Sequence, residues 1–477
     1  VTDTETILTS GTVTVDHFGK LRTLTVDGDV YAQPLIVEGL SIDGTLRRVL
    51  YVATSKDQIT AFDADTGSAI WQISLLGSGI APWQNGGVDF NCTDYLSTYL
   101  GVLGTPVIAL GDGTATLYLI ARTNDHGTTK DTLHKINGAT GEILASHVIT
   151  GSVSGSGAGS SGGTLTFDPT LEVNRVSLVL SGGVVYAAWG SLCDAGNYHG
   201  WVMGFSADDL SPTMVWASTP DGAQGGVWNP GGLVADGDGK LYVTTGNGDF
   251  NADSAGKNYG MSAVKLDTDG AVLDWFTPYN WSDLSAADRD LGSGGVLLRS
   301  GQVILGSKGT GVENEAGTGV LYVLDPSNLG HLVNNDTQIL QKWANGVAVF
   351  SPLAYFNGAL FLNDSGAVRR YPYSGGAYAT TPSHTYAGGF SRGAPWISAN
   401  GDTDGILWLA NNGGFHTAAG PAALYALRAD DLTNLWASNQ RPGDQAPGRM
   451  KWATPIVWNG RVYFGGTDAV TVYGLRP

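Results

Sequence analysis

VLYVATSKDQITAFDADTGSAIWQ, residues 49–72, is the stretch that decides the fold. It reads as a strand, a short gap, a second strand, a turn on Asp65-Thr66-Gly67 and a third strand closing on Trp71. Leu50 and Val52, Ile59 and Ala61 alternate as strand residues do. The phrase returns at residues 116–144, 184–217, 240–276, 302–324, 359–378, 405–437 and 461–475. A further apolar run precedes each copy: AQPLIV, GTPVIAL, VSLVL, GGLVAD, GGVLL, SPLAYF, APWISA and ATPIVW. Units of four short strands, repeating about every 40–60 residues, predict an all-β chain folded as a single eight-bladed β-propeller.

The blades fall at about residues 30–77, 102–149, 164–219, 228–278, 292–330, 348–382, 394–438, and 452–477 with 12–28. The last unit supplies three strands, and KLRTLTVD at residues 20–27 is spare. An N-terminal strand is therefore expected to close the eighth blade and leave no open edge. Glycine, at 70 residues, suits many tight turns. The best candidate for a helix is a short one at residues 285–291. GSVSGSGAGSSGG at 151–163 reads as a mobile lip of low complexity.

A net charge of −18 argues against nucleic acid and anionic membrane surfaces. No apolar run is long enough for a transmembrane helix. A start at Val1, acidic charge and four sequons, at Asn91, Asn280, Asn335 and Asn363, predict a processed, secreted, extracellular glycoprotein acting as a monomer. The two cysteines, Cys92 and Cys193, are expected to form a disulfide.

LYVAT…ITAFDADTGSAIW resembles the tryptophan-docking repeat of the quinoprotein alcohol dehydrogenase-like superfamily, the secreted "PQQ-like" proteins included. HFGKLRTLTVDGDVYAQPLIVEG and GGVWNPGGLVADGDGKLYVTTGNGDF are similar to the opening and the fourth blade of its dehydrogenases. The resemblance implies that Trp71, Trp216, Trp275 and Trp436 dock neighbouring blades. It implies a floor for pyrroloquinoline quinone (PQQ) at Trp228, a Ca²⁺ ligand at Asn247, a base at Asp290 and a quinone contact at Lys308. Other parts of the pattern are missing. Tyr31 stands where the family has a Glu, Cys92 has no neighbouring cysteine, and CTDYLSTYLG has no Arg. Asp194 is displaced from the place of the third-blade Glu, and no Cys-x-x-Cys-His attaches a haem. A tricarboxylate needs several fixed cations, so these losses weaken the case for PQQ.

The loops between second and third strands carry most of the reactive side chains. His199 and His126 form the preferred acid–base pair, with Tyr198, Lys308 and Asp290 as further catalytic candidates. Lys56, Arg392 and Arg449, with Trp228 and Asn247, are candidates for binding substrate, and Lys451 sits beside them. Asp249-x-Asn251-x-Asp253 spaces oxygens like the start of a Ca²⁺ loop, making Asn247, Asp249 and Asp253 the metal candidates. Glu313 and Glu315 are the tempting carboxylate pair for a hydrolase. The leading expectation is cofactor-free cleavage of an extracellular carbohydrate, lyase-type on a uronic-acid glycan. The alternatives are a PQQ/Ca²⁺-dependent sugar or alcohol dehydrogenase and a non-catalytic glycan-binding propeller.

Overall fold

The computed structural model describes residues 2–86, 92–95, 97–299, 301–309, 319–363, 366–388, 390, 393–412 and 420–477. Its strands form eight antiparallel sheets of the propeller type, and the fold is an all-β, eight-bladed β-propeller. The chain divides into two compact units, residues 145–353 and the remainder on either side.

In the first unit, the deciding stretch forms the strands Thr45–Ala53, Gln58–Asp63 and Ala69–Ser74, preceded by Leu35–Ile42. Val49 pairs with Asp63 and Ala53 with Ile59. The expected alternation becomes burial on both faces. Val49, Tyr51 and Ala53 pack with Leu117 and Leu119 of the second blade, whereas Leu50 and Val52 pack with Val470 and Val472 of the eighth. Each set fills one gap between blades, because successive side chains of a strand point to opposite faces.

The turn is built on Asp63. Its Oδ1 accepts the backbone N–H groups of Asp65 and Thr66 at 3.1 and 2.8 Å, and Gly67 takes φ 78°. Trp71 then donates its indole N–H to the Gly138 carbonyl of the next blade at 3.0 Å. The closing strand is Phe18–Thr25, antiparallel to Ala469–Leu475, with Phe18 opposite Leu475 and Thr25 opposite Ala469.

The second unit holds blades three to five, whose second strands are Val184–Ser191, Leu241–Thr244 and Gln302–Gly306. The fourth strand of blade five is Gln341–Ala344, beyond the expected limit at residue 330. A helix covers Trp281–Ala286, starting four residues before the expected one. The glycine-rich lip is a hydrogen-bonded ribbon, Ser152–Ser154 against Thr164–Thr166. Gly157 and Ala158 donate their N–H groups to the carbonyls of Pro220 and Gly222 at 2.9 and 2.8 Å. Its glycines allow close backbone approach, since a Cβ on Gly155 or Gly157 would collide with those carbonyls.

One buried charge in the first unit carries a prediction. Asp57 is 0% exposed, and among the described residues neither carboxylate oxygen has a hydrogen-bond partner. Burial drives its pKa well above 3.8, Asp131 adds to the rise, and Arg122 opposes it. A folded-state pKa above the unfolded value means that stability is full below about pH 3.8 and falls as pH rises toward the folded pKa. Asp57→Asn keeps the shape and tolerates the φ of 56°. It is expected to raise the melting temperature at neutral pH, with a gain that shrinks on acidification. Melting curves from pH 4 to 8 would show this, and a gain independent of pH would refute it.

Candidate functional site

The second unit brings together an aromatic platform and a charged edge. Trp228 is half-buried and lies against backbone. A Cβ on Gly190 would come within 2.7 Å of the indole, on Gly226 within 3.2 Å and on Gly246 within 2.7 Å. A side chain at Gly190 or Gly246 would displace the ring, and Gly226 lies closely against it. Gly190 belongs to the strand Val184–Ser191, and Gly246 follows Leu241–Thr244. Gly246 donates its N–H to the Gly226 carbonyl at 2.9 Å, so the two glycines are fixed to each other. The Arg175 guanidinium stands 5.1 Å from the indole centroid, within the range of a cation–π contact.

The charged edge meets the platform at Gly246, whose Cβ would also come within 2.6 Å of Asp290 Oδ1. Asn247 donates its backbone N–H to Asp290 Oδ1 at 2.7 Å and its Nδ2 to Asp288 Oδ1 at 2.8 Å. Lys308 Nζ pairs with Asp288 Oδ1 at 2.9 Å and Asp290 Oδ2 at 2.5 Å. The Asp290 side chain is 8% exposed and that of Asp288 73%. Asn247 Oδ1 is buried and has no hydrogen-bond partner among the described residues. Burial pushes the Asp290 pKa up against the pull of Lys308. Burial also works against the charge on Lys308, but the two carboxylates outweigh it and raise its pKa, so it stays an ammonium.

Tyr198 is buried beside this group. Burial, then the charges of Asp194 and Asp290, raise its hydroxyl pKa far above 10.0. It is a neutral phenol, able to donate a proton in a hydrogen bond and unsuited to abstract one. Asp194 is held by the Ser191 hydroxyl at 2.7 Å.

The other candidates fall elsewhere. His199 is 1% exposed, and both ring nitrogens are engaged, Nδ1 with Thr219 Oγ1 at 2.9 Å and Nε2 with the Ala158 carbonyl at 2.8 Å. Its backbone N–H goes to Glu172, whose burial raises its pKa to about 8. A ring so fully engaged holds structure. In the first unit, His126 is 73% exposed and bound to Asp125 at 2.7 Å. Lys56 pairs with Asp27 at 2.5 Å, Lys451 with Asp94 at 2.8 Å, and Arg449 donates to the Pro421 carbonyl at 3.3 Å. Arg392, Glu313 and Glu315 lie outside the described residues.

The Ca²⁺-loop spacing is consumed by a turn. Asp249 Oδ2 accepts the Ala223 N–H, Asn251 Oδ1 accepts the Asn258 N–H, and Asp253 lies within the 3-10 turn Ala252–Ser254. Asn247 instead sits with Asp288 and Asp290. Neither Cys92 nor Cys193 is a free thiol; both are disulfide-bonded. The Asn363 side chain is 1% exposed and donates to the Gly393 carbonyl at 2.8 Å, so that sequon offers no accessible acceptor in the folded chain. Asp288 and Arg175 are additions that the sequence did not single out. The only signal for Asp288 is its two-residue spacing from Asp290.

A metal-bound quinone matches these residues in identity and not in charge. Trp228, Asn247, Asp290 and Lys308 are together, and the orphaned Asn247 Oδ1 is a free donor oxygen. Yet the two carboxylates already share an ammonium. Among the described residues no group of three His, Cys, Asp or Glu is placed to hold a metal ion. Asp194, Asp288 and Asp290 all bear on the Tyr198 phenol, and Lys308, Arg289 and Arg175 are cations of the same region.

No family model and no curated protein matches the chain. Among solved structures, it is similar to a quinohemoprotein alcohol dehydrogenase from Comamonas testosteroni, with 14% identity and TM-score 0.60 over 98% of this chain and 78% of that one. A europium-containing methanol dehydrogenase aligns with 12% identity and TM-score 0.59 over 99% and 95% of the two chains. BamB from Moraxella catarrhalis aligns with 12% identity and TM-score 0.53 over 96% and 99%. The chain shares the β-propeller fold of these solved structures.

Proposed function

We propose that the second unit carries a site for a neutral polyhydroxylated ligand, a sugar or polyol, in a secreted protein directed at extracellular carbohydrate. The observation that carries this reading is the Trp228 indole seated on three glycines with the Asn247–Asp288–Lys308–Asp290 network at its edge. An aromatic face with fixed acceptors and one donor beside it is how a protein holds a sugar ring and its hydroxyls. The exposed Asp288 carboxylate accepts; the Lys308 ammonium donates. Cleavage of a uronic-acid glycan fits less well. It asks Tyr198 or His199 to take a proton and Lys308 to neutralise a second carboxylate. Tyr198 is held as a phenol, His199 is engaged at both nitrogens, and Lys308 is already paired.

Titration calorimetry with neutral and uronic oligosaccharides tests the reading. Neutral sugars should bind, and Trp228→Ala should weaken them by about tenfold or more. Gly246→Ala should do the same, by displacing both Trp228 and Asp290. Binding that survives Trp228→Ala, or uronic oligosaccharides preferred over neutral ones, would sink it. The second reading, a PQQ-dependent sugar or alcohol dehydrogenase, is favoured by the convergence of four residues named by the resemblance. Dye reduction by protein incubated with PQQ and CaCl₂ would support that reading over the first.

A further inference from the structure

We propose that Lys308 is a built-in cation of the Trp228 site, taking the electrostatic role of a divalent ion, so that the site has no metal requirement. The proposal rests on the same cluster as the proposed function, but on the arrangement of its charges and not on the nature of its ligand.

Two carboxylates two residues apart, Asp288 and Asp290, are held on one side of the platform and bridged by Asn247. Two carboxylates and an unpartnered amide oxygen are the beginning of a hard-cation site. Lys308 Nζ instead sits between the carboxylates at 2.9 and 2.5 Å. Its backbone N–H is fixed to the Asp290 carbonyl at 3.1 Å, so the loop that carries the ammonium, just after the strand Gln302–Gly306, is tied to the segment that carries the carboxylates. The Lys308 side chain is 18% exposed. An ammonium is a compact charge with three donors. Two go to the carboxylates, and the third has no partner among the described residues. A divalent ion would have to share these carboxylates with that ammonium or expel it into solvent. A hydroxyl, donor and acceptor at once, meets no such conflict. It can accept from Lys308 and donate to the exposed Asp288 carboxylate.

Removing the ammonium should therefore create a metal site. The full chain, as wild type and as Lys308→Met, would be titrated with Tb³⁺ while exciting tryptophan, with Trp228→Phe backgrounds used to isolate emission sensitised by Trp228. Wild type should show no Trp228-dependent emission, and its melting temperature should be the same in EDTA and in millimolar CaCl₂. Lys308→Met should gain Trp228-dependent emission, and adding Asp288→Asn should abolish it. Lys308→Arg, which keeps the charge, should stay dark. If Lys308→Met does not fold in EDTA, millimolar CaCl₂ should restore its melting transition. Trp228-dependent emission or a calcium-dependent melting shift in wild type would overturn the proposal. So would a folded Lys308→Met that binds no Tb³⁺, or an unfolded one that calcium does not rescue. Failure of the sugar titrations would leave these outcomes untouched, so the two readings fall separately.

Discussion

Phe18→Ala is expected to lower the stability of the first unit by about 3–5 kcal/mol. Phe18 is fully buried. Its ring lies 5.5 Å from Trp408, 5.0 Å edge-on from Trp436 and 6.5 Å from Tyr473. One N-terminal side chain thus fills the core between the seventh and eighth blades, with Leu8 and Val13 in the same cluster. Truncation to alanine leaves a cavity bounded by three large rings that cannot all move inward. Deletion of residues 2–25 goes further. It bares the strand Ala469–Leu475, whose partner is Phe18–Thr25, and an unpaired edge invites aggregation. Guanidinium unfolding would show a lower midpoint for Phe18→Ala with an unchanged slope. A midpoint equal to that of wild type would mean that this strand does not close the eighth blade.

The closure was legible because strand counting leaves the last unit one short, and a spare run of alternating residues lies near the N-terminus. The docking tryptophans were legible for a similar reason: Trp71 has counterparts at Trp216, Trp275 and Trp436 in three other phrases, and its partner is the next blade's turn at Gly138. The fourth strand of blade five was not. QKWA is short and half polar, with only Trp343 buried, so nothing in its pattern marks it as a strand. The ribbon after blade two was misjudged because glycine has two uses. Gly155 and Gly157 are there for contact with the 220–222 backbone and not for freedom. At the site, residue type and resemblance found Trp228, Asn247, Asp290 and Lys308, but could not show that Lys308 is already neutralised. Asp288 was missed because its role depends on φ 54° at a bend after the helix Trp281–Ala286, which no local pattern encodes. His199 was chosen for its chemistry, and its burial decides otherwise.

His199→Ala is therefore expected to cost stability, about 2–4 kcal/mol, and to leave ligand affinity at Trp228 within a few-fold. A carbonyl can only accept, so Nε2 carries the proton toward Ala158 and Nδ1 faces the Thr219 hydroxyl. The ring thereby ties the ribbon to blade three, and its loss leaves the Ala158 carbonyl without this donor. The pH dependence gives a second handle. Burial holds the His199 pKa below 6.5. A folded pKa below the unfolded one means the unfolded chain binds more protons, so stability falls as pH drops below about 6.5 toward the folded pKa. Glu172 acts in the opposite sense. Its pKa is raised from 4.5 to about 8, so its contribution is full below 4.5 and is lost as pH rises to about 8. Between pH 4.5 and 6.5 the two slopes oppose each other. Removing the histidine should leave the Glu172 decline, about 1.4 kcal/mol per pH unit, uncompensated in that window. Melting temperatures of wild type and His199→Ala across pH 4.5–8 would show the variant melting earlier everywhere and its deficit widening from pH 4.5 to pH 6.5. Unchanged melting together with a loss of turnover of about 10²–10⁴-fold on any glycan would instead make His199 an acid–base group.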